Sequence, residues 1–261
     1  IIMNSFYGVL GSPGCRFFDA RLASSITRRG HGILGRTRDY IEEAGHRVIY
    51  GDTDSVFVWI QEAGSDEEAQ AAGRELQRDL NAWWSKEIRE EFALESLLEL
   101  EFETHFKRFL MPTVRGSDKG SKKRYAGIVS SEQGDHLVFK GLENVRTDWT
   151  RLAREFQEEL YRRVFLQEPF EDYVSELTAE VLDGRHDDAL VYRKRLRRRL
   201  DEYQRNVPPH VQAARLYEQR GLAPPTRGAW VEYVITSAGA EPAARPVASL
   251  DYQNYVDRQL E

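Results

Sequence analysis

The chain has 261 residues, 41% of them apolar, with 43 acidic against 37 basic side chains, a net charge of −6 and one cysteine, Cys15. That length gives a prior of about two domains with real cores, and the lone cysteine excludes an internal disulfide framework and fits a reducing compartment. No run approaches the roughly 20 apolar residues of a membrane span, nothing at the N-terminus resembles a signal peptide, and the acidic balance excludes a protein coated in positive charge for nucleic acid.

Ile1 to Tyr7 is an apolar run interrupted by Asn4 and Ser5, and Gly8, Gly11, Pro13 and Gly14 break it, as at the end of a helix. These glycines are not followed by Lys-Ser/Thr and no strand precedes them, so they are not a nucleotide loop. Arg21 to Glu43 reads as a helix, with Leu22, Ile26, Ile33, Leu34 and Ile41 at helical spacing and Gly45 beyond its end. Arg47 to Ile60 follows as two β-branched and aromatic runs broken only at Gly51-Asp52-Thr53-Asp54, which predicts a well-buried hairpin with its turn there. Asp52 and Asp54 then sit side by side at the tip. They are either ordinary turn formers or, because two close carboxylates repel, ligands of a hard divalent cation. An EF-hand is excluded, since Val56 and Phe57 stand where its pattern needs an oxygen ligand and a glycine.

Ser65-Asp66-Glu67-Glu68 opens a second helix to about Phe92, whose apolar face holds Leu76, Leu80, Trp83 and Trp84; the tryptophans read as core rather than as a stacking platform. From Leu98 the pattern alternates as in a strand, with Leu98, Leu100 and Phe102 on one side and Glu99, Glu101 and Glu103 on the other. That acidic face is either solvated or an extension of the ion site at the hairpin. Gly116 to Lys123 is a polar turn, 124–129 a strand, Glu132 to Asp135 a turn, and 136–140 the returning strand. Lys119, Lys122, Lys123 and Arg124 crowd this hairpin beside Tyr125; they either blunt a sheet edge or track a phosphate backbone.

Composition shifts after Gly141. Helices are predicted over 146–166, 170–182 and about 210–219, with a short strand over 229–235. A basic segment from Tyr192 to Tyr203 carries Arg193, Lys194, Arg195, Arg197, Arg198 and Arg199. The six histidines, at 31, 46, 105, 136, 186 and 210, show no paired metal spacing.

In order, Asn4-Ser5-Phe6-Tyr7-Gly8, Tyr50-Gly51-Asp52-Thr53-Asp54-Ser55 and Lys122-Lys123-Arg124-Tyr125 closely resemble the motifs of family B DNA polymerases. Lys140-Gly141-Leu142-Glu143 and Arg193-Lys194-Arg195-Leu196 look most like the bacterial DNA polymerase II branch. The resemblance implies an α+β fold: a palm over 1–140, with an antiparallel sheet, packed helices and the end of the fingers helix at 1–8, then a mostly helical, C-terminally truncated thumb over 141–261. It implies a DNA-directed DNA polymerase that joins a dNTP to a primer 3′-hydroxyl with two Mg²⁺ ions. Asp54 would be a metal-ligating catalytic carboxylate and Asp52 its less direct companion, with Glu101 and Glu103 as accessory acids. Asn4, Tyr7 and Gly8 would lie at the incoming nucleotide. Lys123 and Tyr125, with Lys122 and Arg124 beside them, would hold the primer strand, and Arg193, Lys194 and Arg195 would meet duplex DNA. The expected partners are primer-template DNA, dNTP and a sliding clamp reached through a tail beyond Glu261, without a membrane, in a bacterial cytoplasm at the nucleoid.

The chain begins inside an apolar run and ends without a closing signal, so it reads as part of something longer. The family's other metal-binding aspartate would lie before Ile1, and the fragment alone is expected to bind DNA weakly and not to polymerise. One rival uses the same tip: 48–56 also resembles the haloacid-dehalogenase-like phosphatases, with Asp52 as nucleophile, Asp54 as acid and Asp187-Asp188 as the later acidic pair. That fold needs a loop and helices after the first strand, whereas 55–60 reads as an immediate return. A noncatalytic DNA-binding module is the third reading and differs only in whether Asp54 binds metal.

Overall fold

The computed structural model describes residues 7–52, 54–113, 123–131 and 134–260. The chain divides into two compact units, Ile1–Lys107 and Arg108–Glu261.

In the first unit, residues 7–10 are helical, and a long helix, α1 (Ala20–Glu43), starts where the Asp19 side chain accepts the Arg21 N–H. Only its C-terminal half is covered: Thr37 and Ile41 are buried, while Leu22 and Ile26 on the expected apolar face are exposed. Strands β1 (Arg47–Gly51) and β2 (Val56–Trp59) pair antiparallel, with Val48 opposite Val58 and Gly51 opposite Val56 and a bulge between Val48 and Tyr50. Helix α2 (Asp66–Phe92) begins at Ser65, whose Oγ accepts the Glu68 N–H, while the Glu68 carboxylate accepts the Gly64 N–H at 2.8 Å. These bonds satisfy donors that a helix start leaves orphaned. Ile41, Leu76 and Leu80 form the core, and Val48, Val56, Val58 and Leu100 pack on it. Trp84 is buried and donates its indole N–H to Thr37 Oγ1 at 3.0 Å, as its reading as core requires. Arg36 lies 5.0 Å over the Trp84 ring and pairs with Glu87 and Glu91, which accounts for part of the acidic run in α2.

The segment 98–103 alternates half-buried and exposed as predicted, yet 98–105 forms no strand before β3 (Phe106–Leu110). The Asn81 side chain takes the place of a partner strand: its Oδ1 accepts the Leu100 N–H and its Nδ2 donates to the Leu100 carbonyl, each at 2.8 Å. A backbone satisfied in this way needs no ladder.

The division between units falls within β3, which joins β4 (Tyr125–Ser131) and β5 (Gly134–Lys140) in a sheet of order β3-β4-β5. Helix α3 (Arg151–Leu166), capped by Thr150, lays Phe165 on Ala126, Ile128 and Leu142. The same helix turns Leu152 and Phe156 to a second cluster with Leu177 and Val181 of α4 (Glu171–Leu182). The compositional shift near Gly141 and the packing division at Lys107 therefore mark different things: β4 and β5 share their core with α3, in the second unit.

The remainder of the second unit holds the predicted helix near 210 and strand near 230 and adds two strands that the sequence does not announce. Strand β6 (Tyr192–Arg195) lies in the basic segment and pairs antiparallel with β7 (Trp230–Thr236), which pairs with β8 (Gly239–Pro242). Charge on the exposed side chains hides the period-two pattern there, because Tyr192 and the buried Leu196 face the core while 193–195 do not. Helix α5 (Pro209–Leu216) covers this sheet with Val211, Ala213 and Ala214. Tyr192 stacks on Tyr233 and on Tyr255 of the last helix, α6 (Tyr252–Gln259), at centroid distances of 5.3 and 5.7 Å. Gln259 Nε2 donates to the Tyr192 hydroxyl at 2.6 Å. No helix among the described residues is long and apolar enough to cross a membrane.

Candidate active-site and nucleic-acid-binding elements

The acidic turn is built by the strands on either side of it. Val48, Val56 and Val58 fix one face of the hairpin on the core, Tyr50 meets Phe57 at 5.5 Å, and Phe57 meets Phe106 at 6.1 Å. Ile49 and Trp59 are exposed on the other face, so the ribbon is covered on one side rather than well buried. At the tip the Asp52 N–H donates to the Ser55 carbonyl at 2.9 Å, continuing the ladder one step past Gly51 and Val56. The turn is thereby held to four residues, with Asp52 half-buried and Asp54 exposed. Thr53 lies outside the described residues.

Carboxylate oxygens are the right donors for a hard cation such as Mg²⁺, and the two acids are two positions apart on one tight turn. The described residues hold no group of three or more His, Cys, Asp or Glu side chains placed to bind a metal. Glu101 and Glu103 are exposed on their extended segment and are not gathered with Asp52 and Asp54 into such a group. The pair therefore fits a cation as part of a ligand set rather than as a whole one. The immediate antiparallel return of β2 also leaves no room for the loop and helices of a dehalogenase-like phosphatase, which removes that rival.

Near the N-terminus, Tyr7 donates to or accepts from Thr27 Oγ1 at 2.7 Å, anchoring residues 7–10 on α1; its ring remains half exposed. A methyl group on Gly8 would meet nothing within 4 Å. Asn4 lies outside the described residues, as do Lys119 and Lys122.

In the second unit, Lys123 stands in the left-handed region at φ +61° and leads into β4. Gly141, at φ +63°, comes against it: a Cβ on Gly141 would lie 2.2 Å from the Lys123 carbonyl oxygen, so only glycine allows this approach. Tyr125 packs on Phe109 at 5.3 Å and stands opposite Lys140 in the register. Arg124 is half-buried and engaged within its own unit. Its guanidinium pairs with Glu143, whose other oxygen accepts from Gln157 Nε2 at 2.9 Å, and Gln157 in turn accepts the Asn144 N–H at 2.9 Å. Burial pushes the Glu143 carboxyl up, but the Gln157 and Arg124 hydrogen bonds outweigh it and hold the group below the usual carboxylate range. In the sequence, Lys140-Gly141-Leu142-Glu143 is legible as a run but not for this local role; the signal is an acid placed just after the strand that pairs with β4.

The basic segment at 193–199 is partly committed within its unit. Arg193 sits 4.6 Å over the Trp230 ring with Glu232 at 3.8 Å, and Lys194 reaches Asp148 at 3.4 Å. Arg195 donates to the Gly228 carbonyl at 2.8 Å, and Arg199 pairs with Asp201 at 3.1 Å. Arg197 and Arg198 are exposed and form no ion pair among the described residues. Arg146, bonded to Asp148 through both its oxygens, with Lys194 nearby, lowers that carboxyl to about 2.

Comparison with known proteins bears on the family these motifs resemble. Over its whole length the chain is 56% identical to DNA polymerase II of Escherichia coli, of which it covers 34%. It is 30% identical to a DNA polymerase of Thermococcus gorgonarius over 85% of this chain and 26% of that protein. The family B DNA polymerase structure from Pyrobaculum calidifontis superposes with a TM-score of 0.60 at 27% identity, over 98% of this chain and 31% of that one. The chain thus spans about a quarter to a third of the length of these relatives. Residues 1–260 match the family model for DNA polymerase family B, and the chain belongs to that family.

Proposed function

We propose that this chain supplies part of the catalytic palm and the DNA-holding thumb of a DNA-directed DNA polymerase, which transfers a nucleotidyl group from a dNTP to a primer 3′-hydroxyl on a DNA template. The observation that carries the reading is the four-residue turn that presents Asp54 to solvent at the end of a core-anchored antiparallel hairpin. Asp54 would hold a divalent cation, with Asp52 as a less direct companion. Two Mg²⁺ ions in such a site would activate the 3′-hydroxyl and neutralise charge on the transferred phosphoryl group and on pyrophosphate.

The protein's own part is positioning. Lys123 would meet phosphate oxygens and Tyr125 the sugar-base edge of the primer, which grips any sequence equally. Tyr7 would lie under the nascent base pair. Arg197 and Arg198, exposed on the second unit, would join Arg193 to Arg195 along duplex DNA. Asp52 and Asp54 would need ligands beyond those the described residues gather to complete a two-ion site, and the 261 residues alone are expected to bind DNA weakly and to extend no primer.

Two measurements test this. Calorimetric titration of Mg²⁺ into the chain with primer-template present should show binding that Asp54→Ala abolishes; equal heats for both would remove Asp54 from the site. Templated extension by the isolated chain would overturn the assignment of an incomplete ligand set.

A further inference from the structure

Arg124 lies in a basic run expected to hold DNA, yet its surroundings are those of a structural group. Its guanidinium is bound to Glu143, and its Nε is buried with no hydrogen-bond partner among the described residues. Glu143 is itself fixed from behind by Gln157 of α3. One residue earlier in the chain, the Lys123 carbonyl rests against Gly141, two residues before Glu143. Leu142, between those two contacts, is 1% exposed and packs in the cluster with Ala126 and Phe165. The backbone where the basic turn leads into β4, at Lys123 and Arg124, is therefore clamped to one segment that buried Leu142 anchors.

We propose that Arg124 and Glu143 are positioning residues: their ion pair, with the Lys123 carbonyl seated on Gly141, sets the backbone from which Lys123 and Tyr125 reach DNA. This rests on the reading above that Lys123 touches the phosphate backbone. Arg124 then contributes through the turn and not through a phosphate of its own. A carboxylate is retained beside a DNA-holding surface because it fixes the turn, although its charge alone opposes a polyanion.

That opposition of signs gives the test. Removing a negative charge next to bound DNA should tighten binding if charge alone mattered, and also if freeing Arg124 gave DNA a new contact. Primer-template affinity of the 261-residue chain is measured by fluorescence anisotropy over a series of salt concentrations. Glu143→Gln, which keeps size and the Gln157 contact, is expected to weaken binding roughly tenfold, the scale of a lost charge-assisted hydrogen bond. It should also flatten the slope of log K against log salt towards that of Lys123→Gln, which loses about 0.9 with one phosphate contact. The Arg124→Gln and Glu143→Gln double variant should be no weaker than either single variant, since both act through one turn.

Unchanged or tighter binding by Glu143→Gln overturns the inference while leaving the DNA reading intact. If Lys123→Gln changes neither affinity nor slope, the turn does not touch DNA and both readings fall. Should Glu143→Gln not fold, Glu143→Asp keeps the charge but shortens its reach: an intermediate loss supports the proposal and parental affinity overturns it.

Discussion

Two hairpins in this chain carry opposite charge at their ends and are built in opposite ways around that charge. The acidic turn is anchored through its strands, Val48, Val56 and Val58 on the Ile41 core, while Asp54 itself stands in solvent. The basic turn is anchored at the charged residues: Arg124 is held by Glu143, and the Lys123 backbone is held by Gly141. A cation ligand has to stay open so that other ligands and substrate can reach the ion. A turn that grips a regular backbone gains from being rigid, since ordering it on binding would cost affinity. Charge in a motif therefore does not say whether a residue meets a ligand or supports one that does.

Among substitutions in the two hairpins, the largest effect is expected at the clamped turn. Gly141→Ala places a methyl carbon against the Lys123 carbonyl and a side chain at φ +63°, and should destabilise the second unit by about 3 kcal/mol, combining left-handed strain with a backbone clash. Thermal unfolding checks it, and a loss under about 1 kcal/mol would mean that the contact is loose.

A smaller effect concerns the carboxylates that fix the second unit. The folded Asp148 group is depressed to about 2 by Arg146 and Lys194, from 3.8 ordinarily. A depressed carboxyl contributes stability that is fully present above its unfolded value and is lost as pH falls through the folded value. The second unit should therefore weaken between about pH 4 and pH 2, and Asp148→Asn should remove part of that dependence, on the order of 1 kcal/mol for a partly solvated pair. Denaturant midpoints of both proteins at pH 6, 4 and 3 measure it, and parallel curves would count against the pair.

The smallest stability effect belongs to the open tip. Asp54→Asn should change folding stability by less than about 0.5 kcal/mol, because the side chain is exposed, even where it removes Mg²⁺ binding. A large loss would show the acid to be a structural turn former, the reading that the sequence leaves open for it.

Much of the fold was legible because local rules agreed. Ser65 and Glu68 announce α2, the β-branched runs around Gly51 announce the first hairpin, and Gly45 announces the end of α1. Three features were not. The extended segment at 98–105 alternates like a strand but is satisfied by Asn81, a side chain 19 residues away from Leu100. Strand β6 is masked by three consecutive cations whose aliphatic stems say nothing of facing. The pairing of Arg124 with Glu143 joins positions 19 apart across a hairpin, beyond any helical or strand period. As for the acidic turn, its place between two strands was readable from the sequence, whereas the one-sided burial of the ribbon required knowing which face meets the helices.

The stacked tyrosines have a use beyond packing. Burial pushes the phenol groups of Tyr192, Tyr233 and Tyr255 above their ordinary ionisation range. In alkali these rings should therefore stay un-ionised after exposed phenols have lost their protons, and release theirs only when the stack comes apart. Ultraviolet absorbance of phenolate then offers a label-free optical gauge of whether the C-terminal unit is intact.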